Sequence, residues 1–315
     1  VITLGAAITS IQIPTEKGVI ETTLGFDKVS DYEQNNPYFG VIVGRVCNRI
    51  ANGTFNLKGR TYSLAVNNGP NHLHGGMEGF SKKLWSAQVL SGSRLQLTYV
   101  SQDGEEGYPG TVVASVVYEW TDENEVVIQI QATTDATTLV EMTSHAYFNL
   151  AGNPSDPDLS VNTHDLMIPA DKCLSTDENN LAYETPVTVK GTPLDINNLT
   201  NIGEVSQKLP FGGFDNYYCV KKDTADKSSL VHMSTVSYDK LQLDVYSTHL
   251  GVQVYTGKFI NETGRGGKQW GGFSGIALEP HGYPDAINKP SFPSNILEPG
   301  EVYKNKIVYK FSVLN

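Results

Sequence analysis

Apolar and polar residues alternate with a period of two over much of this chain. The stretches are Thr54 to Leu64, Arg94 to Val100, Thr111 to Trp120, Glu125 to Ala132, Thr138 to Leu150, Leu241 to Ser247, Gly251 to Thr256 and Val302 to Val313. Each predicts a strand with one apolar face. No segment sustains a helical period. Turn chemistry separates the stretches: Lys58-Gly59, Asp103-Gly104, Asp122-Glu123-Asn124 and Pro299-Gly300 supply a positive or a fixed φ where the chain reverses. Antiparallel strands with one apolar face each bury those faces by stacking two sheets, so the pattern predicts an all-β fold, a large antiparallel β-sandwich. All-β chains of about 250 residues often form one domain. With neither an internal repeat nor a linker in view, residues 1–315 read as a single domain. The most irregular stretches, Asn67 to Ser81, Gly152 to Asn162 and Glu262 to Gly272, predict long loops of the kind that carry binding chemistry.

Composition narrows the function. Hydrophobic residues at 39% and aromatics at 10% suffice for a sizeable core. Lys and Arg number 23 against 34 Asp and Glu, a net charge of −11, and such a field repels nucleic acids and anionic lipid surfaces. The apolar runs, such as Val112 to Val117 and Gly275 to Leu278, fall short of the roughly 20 residues that span a bilayer. Val1 to Ser10 lacks the basic start and apolar stretch of a signal peptide. Cys47, Cys173 and Cys219 form no CxxC pair and read as reduced thiols of a cytoplasmic protein. The Asn-x-Thr triplets at Asn52, Asn198 and Asn261 read as coincidence in a chain rich in Asn and Thr.

Several polar residues stand out from the strand pattern. In Thr143 to Leu150 the alternation places His145, Tyr147 and Asn149 on one face, a row of hydrogen-bonding groups or simply satisfied side chains. Glu279 leaves the apolar strand Phe273 to Leu278 at its last position, with Pro280 stopping the ladder. Partial desolvation there would raise its pKa toward the range useful for proton transfer. Asn71-His72-Leu73-His74-Gly75-Gly76 holds two histidines that would share a face on a strand. With only Glu78 as a weak third ligand, this argues against a metal and for a loop-borne, hydrogen-bonding His74. Arg45 and Arg49, four apart amid apolar residues, are each either a structural ion-pair member or a fork holding hydroxyls or a carboxylate. Asp215 stands beside Phe214, Tyr217 and Tyr218, a mixture that suits carbohydrate, or else a loop acid beside core aromatics. There is no GxGxxG after a strand, no Walker loop and no GxSxG. What remains is proton chemistry on a polar, uncharged ligand.

The residues resemble the aldose 1-epimerase (galactose mutarotase) family over nearly the whole chain. The resemblance rests on Gly44-Arg45-Val46-Cys47-Asn48-Arg49-Ile50, the run Asn67 to Gly76, Ser144-His145-Ala146-Tyr147-Phe148-Asn149-Leu150, Phe214-Asp215-Asn216, and the run Glu279 to Asn288. It implies the galactose mutarotase-like supersandwich, binding a hexose in an open cleft with neither metal nor organic cofactor, in a monomer or weak dimer. By the resemblance Glu279 is the general base that takes the anomeric proton, His145 the general acid at the ring oxygen, and His74 the second site histidine. Arg49 and Asp215 match groups that hold sugar hydroxyls, and Asn48 and Gln253 further polar contacts. Cys47, Ala146 and His281 depart from residues common in the family, and His281 stands near enough to Glu279 to alter its pKa. The reading expects Glu279 to titrate a little above its free value, about 4.3, and His145 near about 6.5. Alternatives are a hexose-6-phosphate 1-epimerase, with Lys82-Lys83 as the phosphate site, a silent sugar-binding protein, and a polysaccharide lyase or hydrolase. The last would need a second carboxylate partner.

Overall fold

The strand Val112–Trp120 shows how the sequence pattern becomes structure: Val112, Ala114, Val116 and Tyr118 are buried, while Val113, Ser115, Val117 and Glu119 face outward. The computed structural model describes residues 1–34, 37–152, 155–220 and 228–314. Its nine-stranded sheet runs, edge to edge, through Thr200–Asn201, Asp165–Met167, Val231–Tyr238, Leu241–Ser247, Tyr303–Val313, Glu125–Thr134, Val112–Trp120, Arg94–Ser101 and Ser86–Ser91. A six-stranded sheet runs through Tyr147–Phe148, Ile276–His281, Gly251–Tyr255, Asp215–Cys219, Lys172–Leu174 and Val187–Thr188. Neighbouring strands in both are antiparallel. The all-β sandwich is thus observed. The main core lies between the two sheets, where Val116, Ile130, Val245 and Tyr309 of the larger meet Phe148, Tyr218, Val252, Val254, Ile276 and Leu278 of the smaller.

Turn chemistry acts where expected. Thr54–Leu57 and Arg60–Ser63 form a hairpin closed by Lys58 (φ 50°) and Gly59 (φ 79°), the double positive φ of a tight hairpin turn.

Two elements differ from expectation. Thr138 to Leu150 is not one strand but three short ones, Thr138–Leu139, Thr143–Ser144 and Tyr147–Phe148, which pair with three separate partners. The first two belong to separate two-stranded sheets and the third to the edge of the six-stranded sheet. Pro280 does not end the Glu279 strand but lies inside Ile276–His281, opposite Val252. The neighbouring strand Tyr147–Phe148 covers only Ile276 and Ala277, so beyond Ala277 the strand is an edge, where a proline is tolerated. Of the loop Gly152 to Asn162, Asn153 and Pro154 lie outside the described residues. Among the described residues no helix is long and apolar enough to cross a membrane.

Candidate active site

The outer face of the six-stranded sheet carries polar groups where its inner face carries aliphatic ones. Gln253 lies opposite Glu279 in register, and Tyr217 opposite Gln253. Gln253 Nε2 donates to Asp215 Oδ1 at 2.7 Å, and Asn48 Nδ2 donates to Gln253 Oε1 at 3.3 Å. Asn48 and Arg49 come from a different region, the two-residue strand Arg49–Ile50 and the turn before it, paired with His72–Leu73. Arg49 Nε donates to Asn68 Oδ1 at 3.0 Å. His145 is suspended between the short strands on either side of it, its N–H on Val41 O at 2.8 Å. Its Nε2 stands 3.5 Å from Glu279 Oε1.

His74 follows its strand in a left-handed turn (φ 51°), and Gly75 continues it (φ 84°). A Cβ at Gly75 would collide with Gly44 O, so this turn needs glycine. The turn breaks the alternation that would have put both histidines on one face. His72 turns inward, Nδ1 on Ala65 O and Nε2 on Tyr108 Oη, each at 2.7 Å. His74 turns into the cleft, where its Nδ1 accepts the Asn48 N–H at 3.1 Å. Its ring proton therefore sits on Nε2 and is offered to a ligand. His74, His145 and Glu279 each present a donor atom within 4.8 Å of the others, a spacing a metal ion could span. An ion at His74 would have to displace that Nε2 proton.

A cavity of about 430 Å³ opens over this face. Asn48, Arg49, His74, His145, Asp215, Gln253 and Glu279 all line it.

A family model for aldose 1-epimerase matches residues 1–310. This chain belongs to the aldose 1-epimerase family. A galactose mutarotase from Bos taurus is 41% identical over 316 residues, spanning 99% of this chain and 90% of that protein. An aldose 1-epimerase from Escherichia coli K12 is 34% identical over 315 residues, 98% of this chain and 90% of that one. The crystal structure of an aldose epimerase homologue from C. elegans, 27% identical, superposes with a TM-score of 0.91 over 99% of this chain and 94% of its own. The protein is an isomerase that interconverts the α and β anomers of aldoses.

In this aldose 1-epimerase the site groups are almost fully enclosed, Glu279 at 2%, His145 at 4% and His74 at 8% exposure. Burial, reinforced by the Asp215 carboxylate and opposed by the Arg49 guanidinium, pushes Glu279 up to about 8. Burial drives His145 down to about 4, so it does not titrate near its free value as the sequence reading expects. His74 lies well below its ordinary range, again through burial first and then the neighbouring His145 and Arg49. Burial also raises Asp215, against Arg49 and Gln253. Glu279 Oε2 and His145 Nδ1 are buried with no protein partner among the described residues. The cleft does hold a second carboxylate, Asp215, but Gln253 and the Arg49 charge take it up.

The arginine pair resolves cleanly. Arg45 is structural, its guanidinium on Ser101 Oγ, Ser101 O, Gln102 O and Pro109 O. Arg49 belongs to the cleft. Asn149 is also structural, bonding Leu159 O and Ser274 O. Of the aromatics beside Asp215, Phe214 and Tyr218 lie in the main core and Tyr217 in a smaller apolar cluster. The rings on the cleft are instead Tyr38, Tyr147, Tyr255 and Phe259. Tyr38 stacks on His145 with centroids 5.6 Å apart. Sequence reasoning missed Tyr38, Tyr255, Phe259 and Asn68. Tyr255 was within reach, since it shares the Gln253 face of an alternating strand.

Proposed function

We propose that Glu279 and His145 are the acid–base pair of this epimerase and that galactose and glucose are among its substrates. The observation that carries this reading is that Glu279 lines the cleft with its Oε2 buried and without a protein partner among the described residues, and with His145 3.5 Å from the other oxygen. One group takes the C1 hydroxyl proton while the other delivers a proton to the ring oxygen as the C1–O5 bond breaks. Rotation about C1–C2 and reclosure, with the two roles exchanged, yield the other anomer.

Near neutral pH the pair holds one proton, resting on Glu279. Moving it to His145 leaves the pair's total charge unchanged, so the pair can start from either form. His74 donates from Nε2 to a sugar hydroxyl, Arg49 holds further hydroxyls, and Asp215 accepts from them. Asn48 and Gln253 keep Asp215 in place and offer amide contacts. Tyr38, Tyr255 and Phe259 supply ring faces for sugar C–H groups. The relatives named galactose mutarotase support the galactose reading.

Lys82 and Lys83 do not line the cleft. Lys83 pairs with Glu105 at 3.0 Å and Lys82 with Glu78 at 4.0 Å, while Glu178 and Glu262 stand at the cleft wall. An acidic rim of this kind disfavours a phosphorylated hexose. The three cysteines are free and buried, which supports a reducing, cytoplasmic setting.

Polarimetry of freshly dissolved α-D-galactose tests the pair through its pH profile. The one-proton form bounds the active range: the rate should fall below about pH 4 as His145 gains a second proton and above about pH 8 as Glu279 loses its own. A rate that keeps climbing through pH 9 contradicts the assignment.

A further inference from the structure

The catalytic strand Ile276–His281 is an unusual support for a base. Its ladder with Tyr147–Phe148 ends at Ala277, and Pro280 offers no N–H. Side chains of the His145 segment take over from there. Tyr147 is paired with Ala277, and His145 faces Glu279. Thr143 Oγ1 donates to Pro280 O at 2.7 Å, and the Glu141 carboxyl packs against Gly282, whose N–H draws its pKa down. Alternate residues from 141 to 147 thus button this segment to the strand, and Glu141 is the last button.

Behind Glu141 lies a cluster with no counterpart in the mechanism above. Tyr303 Oη donates to Glu141 Oε1 at 3.2 Å, and His249 Nδ1 stands 3.3 Å from the same oxygen. Asn305 Nδ2 reaches Tyr303 Oη at 2.7 Å and His249 Nδ1 at 2.9 Å. The amide is fixed in that orientation because Thr248 Oγ1 donates to Asn305 Oδ1 at 2.9 Å. Gly282 leaves no room for a side chain against the Glu141 carboxyl. Three segments therefore converge on one carboxyl group, and none of these residues lines the cleft.

We propose that Glu141, backed by His249, is a positioning residue of this epimerase that ties the end of the Glu279 strand to the segment carrying His145 and so sets the spacing of acid and base. The role rests on the assignment of Glu279 and His145 made above. It also gives the tie a dependence on pH. Burial raises the Glu141 carboxyl to about 7, opposed by the Gly282 N–H and the Tyr303 hydroxyl. The other titratable groups facing it are His249, Tyr303, Cys47 and Tyr217. Burial pushes the Cys47 thiol and the Tyr217 and Tyr303 phenols upward, so they stay protonated through the neutral range. An ionised carboxylate accepts the Gly282 N–H more strongly than a protonated one, so the tie tightens as pH rises through neutrality.

The test is kcat and KM for wild type, E141A, E141Q and E279Q by polarimetry across the neutral range, with thermal melts of each. Glutamine keeps the size of the side chain and an acceptor oxygen but cannot titrate. E141A is expected to lose about tenfold or more in kcat with KM changed by less than about threefold, because small misplacements of reacting groups are expensive. E141Q should keep kcat within about threefold and lose the wild-type rate step near neutrality. Wild-type kcat in folded E141A, beside an inactive E279Q, would overturn this role alone. If E141A does not fold, an E141Q pH profile superimposable on wild type overturns it. Full activity in E279Q would overturn the acid–base assignment and this role together.

Discussion

The two faces of the six-stranded sheet use the same strands for opposite ends. On the inner face Val252, Val254, Ile276 and Leu278 join the main core. One residue along in each strand, Gln253, Ala277 and Glu279 face outward, and Gln253 and Glu279 line the cleft. Both faces are buried, yet one buries apolar area that stabilises the fold, and the other buries a carboxyl group whose desolvation opposes folding. The alternation of a β-strand thus sets stability and reactivity one residue apart, and substitutions on adjacent positions should separate the two.

Glu279→Gln gives the largest contrast. It should lower kcat by about 10²- to 10⁴-fold, the worth of one positioned proton-transfer group. Thermal melts should show it more stable than wild type, because a carboxyl raised to about 8 in the folded state costs stability that grows as pH rises from its unfolded value to the folded one. The gain should therefore be larger at pH 8 than at pH 5. A variant both inactive and destabilised at pH 8 would break the comparison.

Leu278→Ala, one residue away, should do the reverse. Truncating a fully buried leucine costs about 2–5 kcal/mol, read as a lower denaturation midpoint, while kcat per folded molecule stays near wild type. Asp215→Asn should raise KM for galactose about tenfold, with a smaller change in kcat, because it weakens a charge-assisted acceptor for sugar hydroxyls. Replacing Lys82 and Lys83 together by alanine should leave KM for galactose unchanged, and initial-rate polarimetry would expose any dependence on them.

The same two faces explain what was legible in the sequence. Long strands with one apolar face, such as Val112–Trp120, follow from alternation, because the sheet they belong to has one dominant buried side. The six-stranded sheet is covered on both sides, so pattern alone could not tell which of Phe214, Tyr217, Tyr218 and Tyr255 would meet a ligand. Arg45 and Arg49 are indistinguishable by type and neighbourhood. They part because Asn48 adopts a left-handed conformation (φ 60°) between them, turning one guanidinium into the protein and the other into the cleft. The downward shift of His145 escaped the sequence because it comes from enclosure by residues as distant as Tyr38 and Glu279. Pro280 misled for a related reason, since tolerance of proline depends on where a neighbouring strand stops.

The order of strands in the larger sheet carries a consequence for how the protein is made. Tyr303–Val313 lies in the middle of that sheet, between Glu125–Thr134 and Leu241–Ser247. The two flanks are translated well before the strand that joins them, and at about 5–20 residues per second the ribosome needs on the order of ten seconds or more to cover the gap from the first flank. During that interval Glu125–Thr134 has an unpaired edge, and such an edge can pair with the wrong chain. Emergence of Tyr303–Val313, not of the first half of the chain, is then the step at which that edge is covered.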